Sequence, residues 1–353
     1  MYTEHFIVDK DKPDSRILAR AAVILKRGGL VVFPTETVYG LGANGLDERA
    51  VAGIYKAKGR PSDNPLILHV ADRCEVDKLV CNVSANAKAL MDKFWPGPLT
   101  VVLRRKKMVP DIVTGGLETV AIRLPDSIVA RELIRLAGVP IAAPSANTSG
   151  RPSPTNVHDV LADLCGKIDA VLDTGACTIG VESTVVDCTT PVPTLLRPGG
   201  ITLEMLVETL GEVEVAPTLA GHSTVPRAPG MKYTHYAPNA PMILVEGVQF
   251  QVIVDTLHHE MTKALAQGKK VGAIVSSETA AHLPCDVITV NIGSREDVNE
   301  IAANLYTALR YFDDMPVDII YAEGISETGI GLAVMNRLRK ASGYCILDTN
   351  TRS

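Results

Sequence analysis

Lysine and arginine one residue apart, followed by a proline-framed turn, make Lys58-Gly-Arg60-Pro-Ser-Asp-Asn64-Pro a stiff candidate anion site. Arginine grips two phosphate oxygens with its planar fork, and lysine adds a mobile point charge. The same two cations would equally serve as the basic end of a helix, satisfying its last carbonyls. Five residues after Asn64 stands His69, inside the apolar run Leu66-Ile-Leu-His-Val70. Such a histidine suits a hydrogen-bonded core position, and as a neutral imidazole it also suits contact with an amine or hydroxyl.

Further clusters carry comparable chemistry. Phe33-Pro-Thr35-Glu-Thr37-Val-Tyr-Gly-Leu-Gly42 offers two hydroxyls, and its two glycines are expected to bring backbone close to a ligand. Read conservatively, Thr and Glu there are helix caps. In Thr119-Val-Ala-Ile-Arg123, an arginine so near a core needs an anion beside it, either a protein carboxylate or a substrate's. Pro140-Ile-Ala-Ala-Pro-Ser145-Ala-Asn147-Thr-Ser-Gly150 is a strand running into a loop of small polar residues, a form that gathers N–H and hydroxyl groups around oxyanions. Gly180-Val-Glu-Ser183-Thr and Leu196-Arg197-Pro-Gly-Gly200 add a hydroxyl pair and another arginine. Cations and small hydroxyl residues recurring at strand ends point to one ligand site at the edge of a sheet.

Other chemistries are weakened or excluded. Gly40-Leu-Gly-Ala-Asn-Gly45 matches the dinucleotide fingerprint by letter, yet Pro34 to Tyr39 intervene where that fingerprint needs a direct turn into a helix. A nicotinamide-dependent oxidoreductase rests on that match alone. No Walker loop is present, so any ATP is held another way. His258-His259-Glu260 lacks the second histidine of a zinc protease helix, no Cys/His cluster has metal spacing, and Ser145 and Ser183 lie in no nucleophile elbow. A formal charge of −5 argues against nonspecific coating of nucleic acid, and 4% aromatic residues argue against a base-stacking surface. Seven cysteines without a C-x-x-C pair suit free thiols in a reducing cytoplasm. Neither a signal-peptide pattern nor an apolar run of membrane-spanning length is seen, so a cytoplasmic protein without a membrane partner is expected.

These residues must be positioned by an α/β scaffold. At 353 residues, two domains are expected. Helices are predicted over 15–28, 48–58, 84–93, 128–136 and 156–164, and strands over 30–33, 65–70, 99–103, 120–124, 141–143, 170–172 and 183–187. The fold class is α/β: a twisted mixed-sheet domain over 1–215, a proline-rich linker over 216–241, and a smaller Rossmann-like doubly wound domain over 242–353. In the second domain, strands are expected at 242–246, 270–275, 287–290 and 319–322, with helices at 252–267, 295–313 and 331–341. The linker reads either as an interdomain tether or, because Met231-Lys-Tyr-Thr-His-Tyr236 is bulky and aromatic for a solvated spacer, as a segment that docks on a partner surface and could act as a lid.

The strings FPTETVYGLG, NPLILHV, WPGPLT, APSAN and GVESTVVD, in this order, resemble the YrdC-like threonylcarbamoyl-AMP synthase family in its long two-domain form. Its K-x-R and S-x-N pairs stand here as Lys58-Gly-Arg60 and Ser145-Ala-Asn147. The resemblance implies synthesis of threonylcarbamoyl-AMP and pyrophosphate from L-threonine, bicarbonate and ATP. A separate tRNA threonylcarbamoyl-transferase machinery would then consume the product, with at most weak tRNA contact by this chain. It implies catalytic roles for Lys58 and Arg60, and threonine binding by Thr35, Thr37, His69, Arg123 and Ser183. ATP would meet Lys58, Arg60, Asn64, Thr119, Ser145, Asn147, Ser153, Arg197 and Tyr236, with Mg2+ accompanying the nucleotide. The rival reading is a double-stranded RNA or tRNA binding module without ATP turnover, held by phosphates on a basic face.

Overall fold

Capping residues fix where the helices begin. Asp14, Asp47, Ser84, Ser127 and Asn156 each accept a backbone N–H from the turn that follows, replacing partners that the helix cannot supply. The computed structural model describes residues 2–220 and 236–351, in two compact units: 1–149 with 153–233, and 150–152 with 234–353. The segment 231–235 of the expected lid therefore lies outside the described residues, as does most of the predicted linker.

In chain order the first unit holds β1 (Glu4–Ile7), α1 (Ser15–Lys26), β2 (Val31–Phe33), β3 (Gly40–Asn44), α2 (Glu48–Lys58), β4 (Ile67–His69), α3 (Val76–Leu79) and α4 (Ala85–Phe94). Then follow β5 (Leu99–Arg104), α5 (Asp111–Thr114), β6 (Thr119–Arg123), α6 (Ile128–Ala137), β7 (Ile141–Ala142), α7 (Val157–Leu164), β8 (Ala170–Asp173), β9 (Thr184–Asp187), β10 (Thr194–Arg197), α8 (Leu203–Leu210) and β11 (Glu214–Val215). The strands form one mixed sheet in the order β1-β8-β2-β3-β7-β4-β6-β5-β9-β10-β11. Helices α1 and α6 cover part of it, burying Leu18, Leu25, Leu133 and Ile134 against Val31, Phe33 and Ile141.

Register decides which side chains share a face. Arg123 is paired with His69 on β4 and with Thr100 on β5, Thr100 with Val185, and His69 with Ile141. Paired residues point to the same side of a sheet, and alternation carries Thr119 and Ala121 there too. The site residues accordingly lie across the face of the sheet rather than gathering at one edge, as the sequence had suggested. Thr119 stands four residues before Arg123, roughly 13 Å along the strand at ~3.3 Å per residue.

The Gly40-Leu-Gly42 segment, whose glycines are expected to bring backbone close to a ligand, is strand β3. A Cβ on Gly42 would stand 2.8 Å from Phe33 Cε1 and 2.8 Å from Ile141 Cγ2. These glycines make room for the Phe33 ring. That ring meets His69 edge-on, with centroids 5.8 Å apart.

The second unit contains β12 (Met242–Glu246), α9 (Phe250–Ala266), β13 (Val271–Val275), α10 (Ser277–Ala280), β14 (Ile288–Asn291), α11 (Val298–Asp314), β15 (Ile319–Glu323), α12 (Gly331–Ala341) and β16 (Ile346–Asp348). Its parallel sheet, ordered β14-β13-β15-β12-β16, is doubly wound as the alternating pattern implied. Helix α11 begins three residues later than the periodicity suggested, because Asp297 accepts the N–H groups of Asn299 and Glu300. No described helix is long and apolar enough to cross a membrane.

Candidate active site

Two clusters in the first unit carry the polar chemistry. The first is built around Lys58 in the last turn of α2, where Gly59 closes the helix in the left-handed conformation. The ammonium is buried and donates to Ser145 O at 2.6 Å, to Asn147 O, and to Asn147 Oδ1 at 3.4 Å. Ser145 Oγ donates to Asn147 Oδ1 at 2.5 Å, and Ser149 N donates to Lys58 O at 2.9 Å. The K-x-R and S-x-N pairs are thus one assembly, with the lysine gripping the loop by its carbonyls. Arg60 turns its guanidinium onto Asn64 O at 3.4 Å and Pro65 O at 3.0 Å, which shapes the 60–65 turn. Asn64 itself is buried, and its carbonyl also accepts from the Tyr55 hydroxyl at 3.2 Å.

The second cluster centres on Arg123, which is 3% exposed. Its Nη1 donates to Thr37 Oγ1 at 2.9 Å and its Nε to Gly97 O at 3.3 Å. Thr37 Oγ1 in turn lies 2.8 Å from Thr35 Oγ1. The anion that a buried arginine requires is Glu36, 2.7 Å from Nη2. That pair lacks hydrogen-bond geometry, so Arg123 Nη2 and both Glu36 oxygens have no hydrogen-bond partner, nor has His69 Nδ1. Buried polar atoms are almost always bonded, so these four call for an explanation, and a polar ligand would supply one.

Across the sheet, Ser183 Oγ lies 2.8 Å from Thr100 Oγ1 and accepts from Arg197 Nη2 at 3.1 Å. Arg197 Nε donates to Ser183 O at 3.0 Å. Gly199 makes this contact possible: a Cβ there would stand 2.4 Å from Glu182 O and from Thr184 N. Ser153 Oγ donates to Glu182 Oε1 at 2.5 Å, and both residues are buried.

Backbone bonds between loops join the clusters. Ala146 N donates to Tyr39 O, Tyr39 N to Pro154 O, and Gly180 N to Thr37 O, at 2.8, 3.0 and 3.2 Å. The loops bearing Lys58, Ser145, Asn147, Ser153, Thr35, Thr37, Ser183 and Arg197 are therefore woven together. Thr119, at the far end of β6, is not drawn into these contacts. Tyr236 belongs to the second unit, where it is buried, stacked on Tyr306 at 5.3 Å and adopts φ 67°.

Burial, with the Arg123 charge second, lowers the His69 pKa to about 3, so the imidazole is neutral. In the unfolded chain it takes a proton near its ordinary value of 6.5. Across that interval the unfolded chain binds more protons, so stability is whole above ~6.5 and falls as pH drops toward ~3. A His69→Gln variant should lose stability less steeply over that range, by up to about 1.4 kcal/mol per pH unit. Urea midpoints measured from neutral to mildly acidic pH check this, and parallel declines would refute it. Burial likewise pushes the Cys177 thiol up to about 12, with the Glu36 charge assisting.

Sequence reasoning missed Glu36, Glu182 and Thr100 as site members. Only the need of Arg123 for an anion could have pointed to Glu36, which lies in a string already singled out for its threonines.

With that geometry in hand, comparison with known proteins is decisive. A family model described as telomere recombination, covering Sua5, YciO and YrdC proteins, matches residues 23–199. A second, described as the C-terminal domain of threonylcarbamoyl-AMP synthase, matches residues 201–343. The chain belongs to the threonylcarbamoyl-AMP synthase family. Among family members, the synthase of Pyrococcus abyssi is 51% identical over 93% of this chain and 94% of its own length. That of Bacillus subtilis is 47% identical over 96% of each. The crystal structure of P. abyssi Sua5 complexed with L-threonine superposes with a TM-score of 0.93 at 48% identity, covering 98% of this chain and 99% of that one. Both domains of the family are thus represented, in family order.

Proposed function

We propose that this chain forms threonylcarbamoyl-AMP and pyrophosphate from L-threonine, bicarbonate and ATP. The observation that carries the reading is the group of buried, unbonded polar atoms around Arg123, on loops hydrogen-bonded to the Lys58–Ser145–Asn147 assembly. The Arg123 end suits an amino acid: a guanidinium for the carboxylate, with hydroxyls of Thr35, Thr37 and Ser183 and a neutral His69 for the remaining polar groups. The Lys58 end suits phosphate, where fixed cations and N–H groups offset charge that grows in the transition state. Arg60, Asn64, Ser153 and Arg197 extend that end.

Threonine's amine and bicarbonate give N-carboxy-threonine, whose carboxylate attacks the α-phosphate of ATP and expels pyrophosphate. A transferase acting on tRNA adenosine would consume the product, and the synthase would work in the cytoplasm. Among the described residues no group of three or more His, Cys, Asp or Glu is placed to hold a metal ion. A magnesium ion, inferred from the chemistry of ATP, would enter with the triphosphate as part of the substrate. Thr119 and Tyr236 stay assigned to ATP from sequence similarity alone.

Pyrophosphate release tests this reading. It should require ATP, and should fall to background when either threonine or bicarbonate is omitted. Release that ignores threonine would sink the assignment.

A further inference from the structure

Glu36 is a buried carboxylate that the reaction as outlined leaves without work. Its side chain is 9% exposed, it lies 2.7 Å from Arg123 Nη2, and neither oxygen has a hydrogen-bond donor. A carboxylate kept only as a structural counter-ion would be expected to take hydrogen bonds from its guanidinium or from nearby N–H groups. Here the backbone of Glu36 is well held instead, its carbonyl accepting from Ile179 N at 2.9 Å and Thr178 Oγ1 at 3.3 Å. The charged tip has thus been positioned and left open. Its charge is felt by the Cys177 thiol on one side and answered by Arg123 on the other.

We propose that Glu36 and Arg123 form a two-part clamp for an α-amino acid, with Glu36 receiving the α-ammonium while Arg123 Nη2 receives the α-carboxylate. An ion-paired carboxylate whose oxygens accept no hydrogen bond, beside a guanidinium whose Nη2 makes none, is the complement of a zwitterion whose own charges are one carbon apart. Without substrate the two halves face each other; with substrate each takes a fully bonded partner. Charge-assisted hydrogen bonds of this kind are about twice as strong as neutral ones.

The clamp also accounts for a proton. An amine that is to attack carbon must first lose the proton of its ammonium form. In balance, R–NH3+ plus HCO3− gives R–NH–COO−, H2O and one H+. The N–C bond forms with the amine lone pair, a C–O bond breaks, and the leaving oxygen departs as water. Glu36, hydrogen-bonded to the ammonium, is the group positioned to accept the surplus proton. This assignment rests on the proposed function and names the residue that prepares the nucleophile.

The test separates an ammonium receptor from a structural counter-ion. L-threonine and 3-hydroxybutanoate, which is threonine without its amine, are titrated calorimetrically into the wild-type protein and into Glu36→Gln. Wild type should bind threonine at least about tenfold more tightly than the deamino compound, as expected for one charge-assisted contact. In Glu36→Gln that preference should collapse toward parity, with partial recovery in Glu36→Asp. If Glu36→Gln keeps the wild-type ratio, the clamp is wrong even though both ligands bind. Parity in the wild-type protein would overturn it without any variant, which matters if Glu36→Gln fails to fold. A wild-type protein that binds no threonine at all would instead refute the proposed function, so the two failures are distinguishable.

Discussion

Replacing Arg123 by alanine should lower folding stability by about 3–5 kcal/mol and abolish measurable threonine binding. The stability loss follows from burial: the side chain is 4% exposed and faces Glu36, which would be left as a buried charge without its counter-ion. Thr37 Oγ1 and Gly97 O would each lose a donor at the same time. Arg123→Lys keeps the charge but not the fork, and cannot serve Gly97, Thr37 and Glu36 together. It should retain more stability than alanine while still binding threonine poorly. Urea titration and calorimetric threonine titration measure the two effects separately. An alanine variant within about 1 kcal/mol of wild-type stability would show that Arg123 is not the buried counter-charge.

Lys58→Met should slow pyrophosphate release by at least about a hundredfold while leaving threonine affinity nearly unchanged. Methionine fills similar volume without the ammonium, so Ser145 O, Asn147 O and Asn147 Oδ1 lose their shared donor. A fixed cation facing the phosphate contributes about 3 kcal/mol to the transition state, which corresponds to about a hundredfold in rate. The split between the two readouts is the informative part. Were threonine affinity to fall as far as the rate, the two ends of the site would not be separable, and the division of labour drawn here would fail.

Much of this architecture could be read from the sequence, for reasons that differ between elements. Helix α2 matches the expected 48–58, and the structure closes its two ends with Asp47 and Gly59. The doubly wound second unit followed from strands and helices alternating at regular spacing. No strand is predicted at β3, because two glycines in five residues hide the alternation of a strand. Their real role, leaving space for the Phe33 ring, exists only once β2 and β3 are side by side. The pairing of Lys58 with the Ser145–Asn147 loop spans nearly ninety positions in the chain and has no local signature. Arg123 could be flagged as needing an anion, yet the sequence could not choose between a substrate carboxylate and Glu36. The expectation of a site at one sheet edge failed because β4 and β6 run antiparallel to β7, so their ends do not coincide.

The wedge at Gly199 has a consequence for how variation can be tolerated. Its missing side chain lets the turn after Arg197 lie flush on the backbone of 182–184. A methyl group there would pry the pair apart, disturbing Arg197, Ser183 and the Glu182 carboxylate that meets Ser153 in a single stroke. Some of the greatest sensitivity to mutation is thereby concentrated on a residue with no functional group of its own.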